Sequence, residues 1–481
     1  MKQHLDNKVF KIISGVAIKN ETEIYVVGGY VRDILLCRPS VDIDIVVAGN
    51  GIEFARKVAS AMGDTKVSIF KTFGTAMLKY DGYEVEFVGA RKESYTKNSR
   101  KPVVEAGTIE EDQRRRDFTI NTLAIGLGKD NYGQLIDPFN GLEDLEKKII
   151  RTPLEPSATF SDDPLRMMRA IRFASQLNFE IQKGTLNAIS KNNGRIEIVS
   201  MERITDELCK IIMSDKPSRG FKLMDKTGLL DIILPEVYAM KGVEMMNGRG
   251  HKDNFYHTLK VLDNLCRKSG NIWLRWAALL HDIGKPGTKR YSNDTGWTFH
   301  GHDHLGASMI QPLFRRLKLP LNDKMKYVRK IVLLHLRPIS LSGDEITDSA
   351  VRRLLYEAGD QIDDLMTLCE ADITSKNRGT IRRHMNNFRA VRKKLREIEE
   401  KDKIRNFQPP VRGDEIMDTF GLFPCREVGI IKQAIKDAIL DGVIRNDRDE
   451  AFRFMIGKAG EMGIKPVRSQ QNSLNGQHPA E

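Results

Sequence analysis

Cysteine is scarce: the 481 residues hold five, Cys37, Cys209, Cys266, Cys369 and Cys425, odd in number, scattered, and without a CxxC pair. That excludes a disulfide framework or a thiolate zinc site as the organising device and favours a reducing compartment, the cytoplasm. Long apolar runs are also missing, and none reaches bilayer-spanning length. The N-terminal MKQHLDNKVFKII lacks the apolar core of a signal peptide. Internal repeats and low-complexity tracts are lacking. Acidic residues are in deficit, 65 against 77 Lys and Arg, leaving a net charge of +12. A polyanionic partner suits that balance, RNA or DNA first. Neither a membrane nor an obligate protein partner is indicated. The rest, 40% hydrophobic and 30% charged, is ordinary for a soluble chain long enough for several domains. The polar tail, residues 468–481, is expected to be disordered.

What is present is organised around Ile24 to Val47, IYVVGGYVRDILLCRPSVDIDIVV. A β-branched and aromatic run stops at Gly28-Gly29, a short helical segment follows, and Val41 to Val47 alternates apolar with acidic. Residues two apart in a strand share a face, so Asp42 and Asp44 project together, opposite Val41, Ile43 and Ile45. Adjacent carboxylates repel unless a cation lies between them, and Mg²⁺ is the hard ion that takes oxygen ligands and substrate phosphates. Gly28-Gly29 leaves backbone N–H groups open to a phosphate chain. These parts suit nucleotidyl transfer. A solvated edge strand with two surface aspartates is the bland alternative.

GGYVRD followed by DID resembles the signature of the nucleotidyltransferase branch that contains bacterial tRNA CCA-adding enzymes and poly(A) polymerases. Later motifs match in the same order, and the resemblance covers roughly residues 20 to 235. It implies that Gly28, Gly29, Arg32 and Asp33 position a triphosphate. Glu84 and Glu86 share a strand face, and a third carboxylate completes a two-metal site, for which Glu86 matches the family position better. Arg91 to Arg114 reads as a long polar loop, which the family uses as a moving element. Arg114 to Asn121, RRRDFTIN, resembles the RRDFTxNA motif, with Thr122 for the usual Ala. Arg115 and Arg116 would take phosphates, Asp117 the ribose hydroxyls, and Asn121 lies in the same motif. Asp137 to Gly141 reads as a turn, and the GLEDL stretch after it as structural or hinge-like.

Ser161 to Phe173 opens a helix, with Ser161 or Asp162 as cap and Pro164 in the first turn. Asp163 and Arg166, three apart, resemble the EDxxR motif whose side chains read the base edge in place of a template; Asp162 stands where Glu is common. Arg169 and Arg172 extend the set, and Arg203 is a further candidate. An ordinary salt bridge between Asp163 and Arg166 is the alternative.

From about Arg249 the histidines form a pattern: His257, His281-Asp282, His302, His335 and later Asp372. LLHDIGK resembles the HD phosphohydrolase superfamily, H…HD…D. Imidazole with carboxylate suits Mn, Ni, Fe or Zn, with Mg²⁺ also served by the carboxylates. His300 and His304 flank His302, so the choice within HGHDH stays open. Residues 350 to 405 read as long charged helices, and Val411 to about Met462 as a last helical unit.

The expected fold is α+β: an N-terminal mixed sheet of the polymerase-β-like kind with helices, then an all-α neck and a helical HD domain. The expected divisions are 1–152 catalytic, 153–245 neck, 246–405 HD, and 406–465 a C-terminal tRNA-binding unit. The expected activity is CCA addition to tRNA from CTP and ATP, with phosphohydrolysis at the HD site. A poly(A) polymerase, a hydrolase acting mainly through the HD region, and a non-catalytic RNA-binding protein are the alternatives.

Overall fold

The computed structural model describes residues 1–71, 74–94, 103–341, 346–375, 377–402, 404–405 and 407–467. The tail at 468–481 lies outside the described residues. The chain divides into two compact units, Met1–Ala239 and Met240–Glu481.

In the first unit the described residues before the helical part form ten strands: β1 Ile24–Val27, β2 Asp42–Val47, β3 Val67–Phe70, β4 Thr75–Tyr80, β5 Tyr83–Gly89, β6 Arg91–Ser94, β7 Val103–Ala106, β8 Ala124–Gly126, β9 Leu135–Ile136 and β10 Ile149–Ile150, the last pairing in parallel with Glu180–Ile181. Seven form a mixed sheet in the order β3-β4-β5-β2-β1-β8-β9. β2 and β5 run parallel, and the other neighbours are antiparallel. Ile43, Ile45, Val46 and Val47 are buried, whereas Val41 precedes the strand and is exposed. Acidic–apolar alternation is therefore confined to the open end of β2, and past Asp44 the strand is covered on both faces. Tyr25, Val27, Val46, Ala90, Ile109 and Ala124 pack as one core cluster. The helices Lys8–Lys19 and Gly51–Ala61 bury Phe10, Ile13, Phe54 and Val58, their helically spaced apolar residues.

The expected loop at Arg91–Arg114 is largely ordered structure. β6 pairs antiparallel with β7, from Arg91 opposite Ala106 to Ser94 opposite Val103, with residues 95–102 outside the described set. A helix over Ile109–Arg114 follows, closed by a capping box between Thr108 and Glu111. The polar composition that suggested a loop belongs to a separate two-stranded ribbon. The expected cap is also revised. Ser161 and Asp162 end a separate helix, Pro156–Asp162, and it is Asp163 Oδ1 that accepts from Leu165 N (3.2 Å) at the start of Leu165–Leu177.

The GLEDL segment is structural. Asp137 accepts from Gly141 N (2.6 Å) and Leu142 N (2.9 Å), which starts the helix Gly141–Lys147. Fully buried Asp144 then accepts from Thr119 Oγ1 (2.6 Å) and Arg151 Nε (2.9 Å). Thr119 is thus fixed two residues before Asn121. The helices Leu165–Leu177, Met201–Ile212 and Pro217–Thr227 pack around Met168, Ile171, Leu208, Ile211 and Phe221.

The second unit is helical apart from two short ribbons, Met245–Met246 with Arg249–Gly250 and Arg290–Ser292 with Gly296–Thr298. Asn254–Cys266, Ile272–Leu280, His302–Arg316, Asp323–Leu334 and Ile362–Asp372 surround Trp276, Phe255 and Phe314. Charged helices Asp348–Ala358 and Arg378–Asp402 follow, then Gly413–Phe420, Arg426–Asp441 and Arg448–Glu461, as the helical periodicity implies.

A Cβ on Gly141 would lie 2.3 Å from the Thr119 carbonyl oxygen, a backbone atom that cannot swing away. Gly141→Ala is expected to cost about 1–3 kcal/mol, the usual range for overpacking, seen as a lower urea midpoint. Gly15→Ala is the control. It lies in the helix Lys8–Lys19 with nothing within 4 Å of the new Cβ, and should gain roughly 1 kcal/mol.

Candidate functional site

In the first unit, register does the assembling. Val27, the last residue of β1, pairs with Asp44, so the turn at Gly28 emerges beside the carboxylate face of β2. β5 pairs in parallel on the other side, setting Asp44 opposite Glu86 and Asp42 opposite Glu84. Gly28 has φ 72° and ψ −126°, a backbone conformation that side chains strongly disfavour. A Cβ there would meet Arg116 Nη1 at 2.8 Å and Asp44 Oδ2 at 3.6 Å. The glycine is required both by the turn and by the closeness of cation and carboxylate.

A cavity of about 950 Å³ opens above these residues. Asp42, Asp44, Glu86, Gly28, Gly29, Arg32, Asp33, Arg115, Arg116, Asp117, Asn121, Asp163, Arg166, Arg169 and Arg172 all line it, as do Glu84 and Arg203. Burial pushes the Asp44 carboxyl above the usual range; Arg116 opposes this, and the Glu86 and Asp42 charges add to it. Crowded oxygen donors with a raised carboxyl are what a divalent cation would relieve.

The basic side is held by buried acids. Arg32 forms a fork on Asp33 (Nε to Oδ1 2.9 Å, Nη2 to Oδ2 2.8 Å) and donates through Nη1 to Asn121 Oδ1 (2.8 Å). Asn121 Nδ2 donates to Asp117 Oδ1 (3.0 Å), and Arg169 Nε to Asp117 Oδ2 (2.6 Å). Burial pushes the Asp117 carboxyl up, but the Arg169 charge, the Asn121 hydrogen bond and Arg166 outweigh it and hold the group at about 2. Arg166 Nη2 donates to the Arg115 carbonyl (2.7 Å), and Arg203 Nη2 lies 3.8 Å from Asp163 Oδ2.

Three further residues escape sequence reasoning. Asp112, fully buried, accepts from Arg116 Nε (3.1 Å) and Nη2 (2.9 Å) and from Arg115 Nε (3.0 Å). Its spacing before the two arginines, i,i+3 and i,i+4, was the available signal. Glu207, buried, lies 2.6 Å from Arg172 Nε; burial lowers the Arg172 pKa to about 10 despite that partner. Phe173 carries Arg172 at 4.0 Å, Arg32 at 5.0 Å and Arg169 at 5.4 Å from its ring centre. Glu207 reaches Arg172 from another helix, so no local pattern announces that contact; Phe173 shares the helix Leu165–Leu177 with Arg172 and, at i,i+4 spacing, Arg169, and only Arg32 reaches it from elsewhere.

The second unit has its own site. His257, His281 and Asp372 form one triad, Asp282, His302 and His335 another, and within each the ligand atoms lie within 4.8 Å of one another. Asp282 spans both. Its Oδ2 is 3.3 Å from His281 Nε2 and 3.7 Å from His257 Nε2, and its Oδ1 is 3.4 Å from His302 Nε2 and 3.9 Å from His335 Nε2. Asp372 Oδ1 lies 2.8 Å from His257 Nε2. His302 is thus separated from His300 and His304, which are exposed.

The imidazole tautomers follow from what the outer nitrogens touch. Nδ1 of His281, His302 and His335 lies 2.8, 2.8 and 2.6 Å from the carbonyls of Ala278, Phe299 and Val332. A carbonyl only accepts, so each Nδ1 carries the hydrogen, and Nε2 is the atom each ring turns inward towards an ion. His281 Nε2 is buried with no hydrogen-bond partner. Burial and the nearby His281 push His335 down to about 4, keeping it neutral. Imidazoles around a shared carboxylate fit a pair of divalent ions. Lys285 Nζ donates to Asp282 Oδ2 (2.7 Å), and Lys252 Nζ and Thr374 Oγ1 sit 2.7 and 2.9 Å from His257 Nδ1.

Comparison with known proteins follows this division. Residues 24–151 match the poly A polymerase head domain, 178–240 the probable RNA and SrmB-binding site of polymerase A, and 254–377 the HD domain. The A-adding tRNA nucleotidyltransferase of Deinococcus radiodurans is 34% identical over 341 residues, 69% of this chain and 75% of that protein. The multifunctional CCA protein of Pseudomonas fluorescens is 31% identical over 362 residues, 73% and 84% of the two chains. The fold is similar to that of the Bacillus stearothermophilus CCA-adding enzyme solved with CTP, with a TM-score of 0.66, 24% identity, and coverage of 95% of this chain and 99% of that one. Head, RNA-binding and HD matches fall in the order the motifs imply, and on that likeness to full-length relatives the chain belongs to the tRNA nucleotidyltransferase family.

Proposed function

We propose that the first unit adds nucleotides from CTP and ATP to the 3′ end of tRNA, building or repairing its CCA terminus. One observation carries this: strand register brings Asp42, Asp44 and Glu86 to one side of a single cavity, facing the Gly28 turn and an arginine cluster. Mg²⁺ held by Asp42 and Asp44, with Glu86 beside them, would activate the RNA 3′-hydroxyl and neutralise the departing pyrophosphate. Arg32, Arg115 and Arg116 bind the triphosphate, their guanidiniums aimed by Asp33 and Asp112. Asp117 serves the ribose hydroxyls with the oxygen lone pairs that Asn121 and Arg169 leave open. Asp163 and Arg166 offer an acceptor and a donor to the base edge, and Arg169 and Arg172 border that pocket. Residues 1–152 form the head, 153–245 the neck, 246–405 the HD domain and 406–465 a tRNA-binding unit on this reading. Among the described residues no helix is long and apolar enough to cross a membrane. A tRNA substrate and free thiols support a cytoplasmic location.

The HD site supports a second activity, hydrolysis of a phosphate ester by water on a divalent transition metal, Mn, Ni, Fe or Zn. His257, His281 and Asp372 would hold one ion, His302 and His335 another, and Asp282 would bridge them. A 2′,3′-cyclic phosphate or 2′-phosphate at an RNA end fits, since its removal frees the hydroxyl that the first unit extends.

Incubating tRNA that lacks CCA with CTP, with ATP and with both distinguishes the readings. Addition of two C residues and then A is expected. Addition of A alone to tRNA ending in CC would make it an A-adding enzyme, and long A tracts a poly(A) polymerase. Asp44→Ala should lower the addition rate by about 10³-fold or more, comparable to removing a transition-state stabilising group. Wild-type rates in that variant would remove Asp44 from the site.

Asp163→Ala and Arg166→Ala should each weaken preference for CTP and ATP over GTP and UTP by about 1–3 kcal/mol, the size of a good base contact. Unchanged preference in both would reduce them to structural residues.

For the HD site, protein stripped of metal and reloaded with Mn²⁺, Ni²⁺ or Mg²⁺ should hydrolyse a 2′,3′-cyclic nucleotide. His281→Ala with Asp282→Ala should abolish that and spare CCA addition. Absence of hydrolysis with every metal would leave this region as a helical tRNA-binding scaffold.

A further inference from the structure

Beside the HD centre the two short ribbons make a surface that neither activity uses. They are tied edge to edge: Trp297 Nε1 donates to the Arg249 carbonyl (3.1 Å), Arg249 Nη1 to that of Asn293 (3.2 Å), and Asn247 Nδ2 to Asn293 Oδ1 (3.1 Å). Such small ribbons are not stable alone and bury little. Their side chains are nonetheless unusual for a solvated hairpin. Tyr291 packs edge-on against Trp297 at 5.2 Å, and the His251 ring sits between Trp297 (5.3 Å) and Phe299 (5.7 Å). His251 is fixed in place, with Nδ1 donating to the Lys252 carbonyl (2.9 Å) and Nε2 accepting from Glu244 N (3.2 Å). Lys289 lies 5.6 Å from the Trp297 ring centre, and Arg249 and Arg290 are exposed nearby. The aromatic rings are only partly covered, and Met245 and Met246 at the tip are 66% and 49% exposed.

Aromatic faces interleaved with cations are how sequence-tolerant single-stranded nucleic acid sites are built: bases stack, and cations follow the phosphates. The surface is continuous with the metal-ligand cluster. The Phe299 carbonyl receives His302 Nδ1, and Lys285, which donates to Asp282, stands 5.8 Å from the Phe299 ring centre. A base stacked at Trp297 therefore has a cation between it and the Asp282 centre, where a phosphate would sit. We propose that the paired ribbons are a stacking platform for single-stranded RNA, presenting its terminal phosphate to the HD site. The substrate class rests on the hydrolase reading above; the binding does not.

The test uses full-length, metal-free protein for binding, metal-loaded protein for hydrolysis, and an RNA hexamer ending in a 2′,3′-cyclic phosphate. Trp297 reports locally, because the other two tryptophans, Trp273 and Trp276, lie in the helix Ile272–Leu280 and Trp276 is fully buried. The hexamer should quench tryptophan fluorescence saturably, and an abasic hexamer of equal charge should not. Trp297→Leu should lose the quenching. Tyr291→Ala, which keeps the reporter, should weaken binding roughly 5- to 100-fold, one stacked base. Lys289→Gln should reduce the salt dependence by about one phosphate contact. His281→Ala should keep the quenching while losing hydrolysis. No quenching, equal quenching by the abasic hexamer, or quenching that survives Trp297→Leu would overturn the platform and leave the Met245–Met246 tip to a protein partner. Hydrolysis without quenching rejects the platform alone. Quenching without hydrolysis under any metal rejects the hydrolase reading alone and supports the platform.

Discussion

Pairing of Val27 with Asp44 is the constraint on which the first site depends. A strand's side chains alternate with a period of two, so a slip of one residue would turn Asp42 and Asp44 into the core and Ile43 and Ile45 out to the cavity. Burial of Ile43, Ile45, Val46 and Val47 makes that slip costly. The hydrophobic core thereby fixes the carboxylates, although burial first, and the neighbouring Glu86 and Asp42 charges after it, raise the Asp44 carboxyl above its usual range against the pull of Arg116. Parallel pairing of β5 extends the same logic and brings Glu86 to the pair from a strand far along the chain.

Opposite the carboxylates, guanidiniums must stay ordered without a substrate. Buried acids do this. Asp112 holds Arg115 and Arg116, Asp117 holds Arg169, and Glu207 lies against Arg172. An acid that grips a guanidinium from behind aims its remaining donors at the cavity and reduces the entropy lost when phosphate arrives. Pairing also makes burial of the acids tolerable, which is why Asp117 stays ionised despite being enclosed.

Much of this was legible in residue order, for a physical reason. Gly28, Asp42 and Asp44 lie within one strand–turn–helix–strand unit, and a period of two specifies the shared facing of Asp42 and Asp44 without tertiary knowledge. His281-Asp282 was legible because an apolar helix ending in two metal-ligand types is rare in a core. Asp112 and Glu207 were not, since each looks like a solvated helix charge until the fold closes over it. The ribbon at Arg91–Ala106 was missed because its polar, proline-bearing composition suits a loop equally well, and pairing is decided by the partner strand. Within HGHDH, three histidines compete; only the helix start at His302 and the Phe299 carbonyl behind it single out the buried ring.

The two candidate centres differ in kind, and that difference bears on how one chain can hold both. Asp42, Asp44 and Glu86 offer oxygen only, at the open end of a sheet, where a hard ion can keep its waters and take phosphate oxygens as further ligands. The HD cluster offers four imidazoles and two carboxylates, with Asp282, His281 and His335 almost wholly enclosed. Nitrogen donors favour later transition ions, following the usual order of affinities. Backbone carbonyls fix three of those tautomers before any ion binds, so the lone pairs converge without side-chain rearrangement. On the proposed reading the two donor sets therefore lean towards different ions, a hard one at the first centre and a later transition ion at the second.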